Sequence, residues 1–192
     1  NGKIVHNKDS LFLEDLDKLP FPARDLLPMQ KYFSFEARAY PIDYIVSGRG
    51  CPYRCTFCAD FITSGRKLRI RSAENIVAEV EHLVNEYGVK EIDFQDDNFT
   101  FYADRIFKFC ELMIQKGLHK KVIWKVANGV RCDKVTLPML KKMKQAGCYM
   151  LSLGIESGNQ EILNKMRKAE KLEDIKNAAR WCYQAGIETR GL

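Results

Sequence analysis

Three cysteines fall within eight residues, at Cys51, Cys55 and Cys58, with three and then two residues between them. Thiolates held this close repel one another and raise each other's pKa unless a cation compensates, so the spacing in a reduced protein points to a metal. Gly48 and Gly50 let the backbone turn tightly beside them. Structural zinc takes four protein ligands, and this segment offers no fourth cysteine or histidine; the next cysteine, Cys110, falls on the apolar face of a helical pattern. Three thiolates on a four-iron cluster leave one iron open, which suits a cluster that binds its substrate directly. The competing readings are three unrelated loop cysteines, or a non-catalytic iron–sulfur or zinc module.

Other groups able to do chemistry follow later apolar runs. Asp96 and Asp97 put two carboxylates directly after Phe94, where they can accept hydrogen bonds from an ammonium group or cap the next helix. Glu156 and Ser157 lie on a turn between Gly154 and Gly158, with helix capping as the alternative role. Arg131, beyond Asn128-Gly129, has the guanidinium fork that pairs with a carboxylate, or makes a surface salt bridge. Cys110, Cys148 and Cys182 read as small buried apolar residues, and His82 and His119 as helix-surface or helix-end residues.

The elements that must hold these groups alternate. From Tyr44 onward short apolar runs are followed by longer helical ones, the signature of β-then-α units and a parallel sheet. Tyr44-Ile45-Val46 predicts the first strand, ahead of the cysteines. Ser72 caps a helix whose Ile76, Val77, Val80, Leu83, Val84 and Tyr87 share one face, and Gly88 stops it. Ile92 and Phe94 predict a second strand, then a helix through Ile106, Phe109, Cys110, Met113 and Ile114 that ends near Gly117. Residues 122–126 predict a third strand, and Thr136 with Pro138 opens a helix closed by Gln145-Ala146-Gly147. Tyr149 to Leu153 is a fourth strand, a helix through Leu172, Ile175, Ala179 and Cys182 stops at Gly186, and Ile187 begins a fifth strand. The sequence reads as an excised fragment cut inside its fifth unit. Successive right-handed units close into a barrel or lie open as a doubly wound sheet, and in both the ligands sit at the carboxyl ends of the strands.

Residues 1–42 lack periodicity and carry Leu19-Pro20-Phe21-Pro22 and Pro28, which predicts an extended linker laid on a domain that starts at 43. The chain of 192 residues, 46% hydrophobic and 11% aromatic, is long enough to bury a sizeable core. Its net charge of +6 is spread among 25 acids, and the cluster Lys141, Lys142 and Lys144 suits a solvated helix face better than a nucleic-acid surface. No apolar run approaches the roughly 18 residues that span a bilayer, and no signal pattern opens the chain. Seven cysteines, three clustered and four dispersed, do not make a disulfide framework, which places the protein in a reducing, cytoplasmic setting without membrane insertion.

Cys-x3-Cys-x2-Cys, with the aromatic Phe57 just before the third cysteine and the whole motif after the first strand, resembles the radical S-adenosylmethionine (SAM) superfamily. The resemblance implies an α/β fold, a partial (β/α)6 TIM-like barrel truncated here near its fifth strand. It implies a [4Fe-4S] cluster on Cys51, Cys55 and Cys58 whose open iron chelates SAM. Reductive cleavage then gives a 5′-deoxyadenosyl radical. By the same resemblance the cofactor meets the Phe57 backbone at adenine, Asp96 and Asp97 at the methionine amino group, and Glu156 and Ser157 at the ribose or methionine moiety. Arg131 and Arg190 are further candidate contacts, as is Lys168. The family's more usual glycine-rich segment ending in Glu is replaced here by Asp-Asp-Asn-Phe. That variant, the stretch from Leu16 to Pro28 and Gly154-Ile155-Glu156-Ser157-Gly158 resemble the subfamily with an upstream cobalamin-binding domain, which includes methyltransferases and cyclases. The implied partners are a small-molecule substrate and a reductant such as flavodoxin or ferredoxin, with cobalamin in the full-length protein. A methylthiotransferase shares the cysteine pattern and is the alternative enzyme.

Overall fold

A computed structural model describes residues 2, 4–5, 7–8 and 11–192. Along the chain, β1 (Ile42–Ile45) leads into β2 (Gly48–Arg49), then the cysteine loop, the short helix α1 (Asp60–Thr63) and β3 (Arg69–Ile70). Helix α2 (Ala73–Glu86), β4 (Glu91–Phe94), α3 (Ala103–Gln115) and β5 (Ile123–Val130) follow. Then come α4 (Leu137–Gln145), β6 (Cys148–Leu153), α5 (Gln160–Lys165), α6 (Leu172–Ala185) and β7 (Glu188–Gly191).

The five longer strands form one sheet in the order β1-β4-β5-β6-β7, every neighbouring pair parallel. A doubly wound sheet reverses its order at a switch point; this one advances steadily, the arrangement of a barrel segment. The predicted helix signals act where expected. Ser72 accepts a hydrogen bond from the Asn75 amide at the start of α2, Thr136 accepts one from Met139 at the start of α4, and Gly88, Gly117 and Gly186 take positive φ beyond helix ends.

The two sheet faces have opposite chemistry. Toward the helices, Phe94, Phe109 and Trp124 pack edge to face with centroids 5.4 to 5.5 Å apart, and Phe99 closes against Phe94 at 4.6 Å. The other face is polar. Lys125, fully buried, holds its ammonium 3.1 Å from Glu91 and donates to the Glu36 carbonyl at 2.8 Å. Tyr149 donates to Glu91 at 2.6 Å, and the Arg38 and Ala39 amides donate to the same carboxylate. Residues 36–39 thus close the amino end of the barrel over a buried ion pair and complete its hydrogen bonds with their own backbone.

Three departures from the sequence expectations have local causes. The stretch before β1 holds three 3-10 turns, at Leu16–Lys18, Arg24–Leu26 and Met29–Lys31, and buries Arg24 in ion pairs with Asp43 and Glu79. β5 runs past Val126 to Val130 because a register shift lets Asn128 and Gly129 bulge out while Val130 pairs again with Leu153. β1 starts at Ile42 and ends at Ile45, since Ser47 turns aside to bond Asp96.

Candidate cluster and cofactor site

β2 and β3 pair antiparallel as a two-rung clasp, Gly48 opposite Ile70 and Arg49 opposite Arg69, and the cysteine loop hangs between them at the carboxyl end of β1. Gly50 starts the loop at φ +94°, and any Cβ there would run into the backbone carbonyls of Lys67, Gly65 and Ser64, so a side chain has no room. Cys51 donates its amide to the Gly65 carbonyl at 3.1 Å, and the Thr56 amide reaches the Met166 carbonyl at 2.9 Å, fastening the loop to the turn after α5.

Cys51, Cys55 and Cys58 all line one cavity of about 250 Å³, and each is half-buried and reduced, while Cys110, Cys132, Cys148 and Cys182 are buried in the core. Burial raises the Cys55 thiol pKa, and Lys168 and then Arg131 oppose it by favouring the thiolate. Among the described residues no three His, Cys, Asp or Glu side chains converge as ligands of a single ion. Separate irons of a cluster each take one thiolate, whereas zinc draws all its sulfurs to about 2.3 Å from one centre. Among the described residues, three thiols open into one cavity that no other cysteine or histidine lines, a donor set that fits a cluster held by three thiolates.

The same cavity takes in Phe57 from the loop, Asp97 beyond β4, Arg131 beyond β5 and Glu156 beyond β6. Burial first, and the neighbouring Asp60 carboxyl second, push Asp97 up to about 6, while the Gly50 amide holds it down. Glu156 sits at φ +60°, pinned by its amide to the Leu192 carbonyl at 2.8 Å, with its carboxylate 3.1 Å from the Lys168 ammonium. Arg131 donates to Asp133 and to the Lys168 and Ala169 carbonyls, so its fork is taken up by the protein although it borders the cavity.

Three expected contacts lie elsewhere. Asp96 is buried, accepting hydrogen bonds from the Ser47 amide and hydroxyl and lying 3.6 Å from Arg105. Ser157 accepts from the Asn159 amide at 3.1 Å. Arg190 is turned to the concave sheet face, donating to Ser152 at 3.1 Å and the Ala127 carbonyl at 2.9 Å and pairing with Glu36. The capping alternatives do not hold either, for α3 begins behind Tyr102 and α5 is capped by Asn159. Sequence reasoning did not mark Tyr53, Asp60 or Asn98 as site residues, and all three line the cavity. The buried Asn98 amide nitrogen has no hydrogen-bond partner, which leaves a free donor at the cavity wall.

A profile of the Radical SAM superfamily matches residues 45–192. The chain belongs to the radical SAM superfamily. Members of the radical SAM family use a [4Fe-4S] cluster and SAM, the pair expected from the three thiols and the open cavity beside them. The chain is 31% identical to an uncharacterised methyltransferase of Pyrococcus horikoshii over 191 residues, all of this chain and 40% of that protein. It is 36% identical over 141 residues to an anaerobic magnesium-protoporphyrin IX monomethyl ester cyclase of Cereibacter sphaeroides, 73% of this chain and 23% of that one. The solved cobalamin-dependent radical SAM enzyme OxsB superposes with TM-score 0.67 and 26% identity, over 77% of this chain and 23% of its own. The chain thus spans less than half the length of these relatives, and its partial radical SAM barrel superposes on that of OxsB.

Proposed function

We propose that residues 43–192 are the N-terminal part of the catalytic core of a radical SAM enzyme whose full-length protein uses cobalamin, as a methyltransferase or cyclase. Residues 1–42 would lead into it from an upstream cobalamin-binding domain. The observation that carries the reading is that the three clustered thiols share one strand-end cavity with Asp97 and Asn98 from the turn after β4 and Glu156 from the turn after β6.

When bound, a [4Fe-4S] cluster supplies the single low-potential electron that cleaves the SAM sulfonium to methionine and a 5′-deoxyadenosyl radical. The chain's own residues bind and orient. Asp97, with Asp60 beside it, faces the cavity as the acceptor pair for the methionine ammonium, whose arrival would lower the Asp97 pKa from about 6. Asn98 offers its free amide donor to a carboxylate or ribose oxygen. Glu156, on the turn after β6, accepts from the ribose or methionine moiety, and the Phe57 backbone meets adenine. Arg131 orders the wall of the cavity, and Asp96, Ser157 and Arg190 hold the frame. The electron would come from a flavodoxin- or ferredoxin-type carrier and the substrate would be a small molecule, in the cytoplasm. No helix among the described residues is long and apolar enough to cross a membrane.

The chain loaded anaerobically with iron and sulfide, reduced with dithionite and given SAM tests this reading. Methionine and 5′-deoxyadenosine released in equal amounts, and neither from Cys55→Ala, is the expected outcome. A loaded, reduced cluster to which SAM does not bind would overturn it.

A further inference from the structure

Lys168 is placed with unusual care for a lysine. It is 6% exposed, on the turn between α5 and α6, and both neighbours, Arg167 at φ +53° and Ala169 at φ +55°, adopt the left-handed conformation without being glycine. Two such residues in a row of three are conformationally costly, and a surface lysine needs neither. The cost turns the side chain inward. Arg131 holds the strained turn through the Lys168 and Ala169 carbonyls at 2.7 and 2.9 Å, and the Lys168 amide bonds the Leu163 carbonyl at 3.0 Å. The ammonium then lies over Gly154, where a Cβ would stand 2.9 Å from Nζ, so the glycine provides the space it fills. Nζ is 3.1 Å from Glu156 and 3.7 Å from Glu170, and it borders the cavity that contains all three loop thiols.

We propose that Lys168 is a positioning residue for the electron: its fixed, buried ammonium raises the potential at which a cluster on Cys51, Cys55 and Cys58 is reduced. This rests on the radical SAM reading above. The step is a one-electron reduction by an external low-potential carrier, with no bond made or broken. It adds one negative charge at the thiolates, and a cation held close in a poorly solvated cavity favours the more negative state. Lys168 and Arg131 are the two cationic side chains that line the cavity with the three thiols. Arg131 is offset by Asp133 at 2.8 Å and Glu170 at 3.8 Å and is stacked on Tyr53. Lys168 is the cation whose removal leaves Glu156 unneutralised beside the thiols, while Glu170 keeps Arg131.

A purely structural lysine would hold the two glutamates in place without moving the potential. Potentiometric titration of the reconstituted chain without SAM, followed by electron paramagnetic resonance, separates the two. Lys168→Met, which keeps the stem and loses the charge, is expected to load iron and sulfide as wild type does and to shift the midpoint to lower potential. Lys168→Arg restores the charge and should restore the midpoint. Glu156→Gln, which removes an opposing charge and leaves Lys168 in place, should shift the midpoint upward, and it carries the test if Lys168→Met loads poorly. Fully loaded Lys168→Met with the wild-type midpoint, or Glu156→Gln with an unmoved one, overturns the proposal. A wild-type cluster that ignores SAM would instead overturn the radical SAM reading.

Discussion

The guanidinium of Arg131 lies 3.5 Å from the centre of the Tyr53 ring, in the cysteine loop, while the same group donates to the carbonyls of Lys168 and Ala169 on the opposite wall. One planar cation thereby ties together the two sides of the cavity, by its face on one side and its edge on the other. Arg131→Lys keeps a charge but loses the fork and the planar stack. Arg131→Ala is predicted to destabilise the fold by about 3 kcal/mol, since Glu170 and Asp133 lose a buried partner. Both variants are predicted to retain less iron than Tyr53→Phe, which keeps the ring. Chemical denaturation and iron analysis check this, and full iron retention in Arg131→Lys would show that charge alone suffices.

The two kinds of cysteine separate cleanly. Alanine at Cys51, Cys55 or Cys58 is predicted to abolish cluster incorporation with little change in stability, because all three thiols are partly solvated. Cys182, whose thiol burial pushes up to about 11, is packed in the apolar core. Cys182→Ala should cost about 1 kcal/mol and leave iron content unchanged. Iron and sulfide analysis of the four variants, beside their urea midpoints, gives the comparison.

Asp93 gives the fold a pH dependence. Burial raises its pKa from the usual 3.8 to about 6, against the Ala127 amide and the Lys125 ammonium, with Gln95 also bonding it and Glu91 and Tyr149 on the same buried face. The folded state therefore holds this proton more tightly than the unfolded chain. The contribution of Asp93 is most favourable below pH 3.8 and is lost as pH rises through about 6. With one pKa unit worth about 1.4 kcal/mol, wild type should lose on the order of 2 to 3 kcal/mol relative to Asp93→Asn between pH 4 and pH 7. Urea midpoints of the two proteins at both pH values test this, and a pH-independent difference would contradict it.

Gly50 bears on the loop directly. With φ at +94° and three backbone carbonyls around the missing side chain, Gly50→Ala cannot be absorbed by a rotamer change. It is predicted to cost about 2 kcal/mol and to open the β2–β3 clasp. Hydrogen exchange should rise at the Cys51 amide, which bonds Gly65, while the α3 amides stay protected.

The features readable in the sequence were those with local signatures. Ser72, Thr136 and the glycines at 88, 117 and 186 announce helix ends because capping involves only near neighbours. Cys51, Cys55 and Cys58 are legible by spacing alone. The β2–β3 clasp was not, since strands of two residues carry no periodicity and are fixed by their partner. Asp96 and Asp97 look equivalent as neighbours. The backbone turns one to Ser47 and Arg105 and the other to the cavity, which only the tertiary contacts of Ser47 decide. Tyr53, Asp60 and Asn98 acquire meaning only once the loop, β4 and the turn after α5 meet. Arg24 would pass for a surface arginine were it not for Asp43 and Glu79 facing it.

The central claim is that three thiols of this chain hold a cluster with one iron left for SAM. Electron paramagnetic resonance of the anaerobically reconstituted, dithionite-reduced chain, recorded with and without SAM, tests it most directly. A [4Fe-4S] signal that is absent from Cys55→Ala and changes when SAM is added is the predicted result. A signal that forms fully in wild type and is identical with and without SAM would contradict the account.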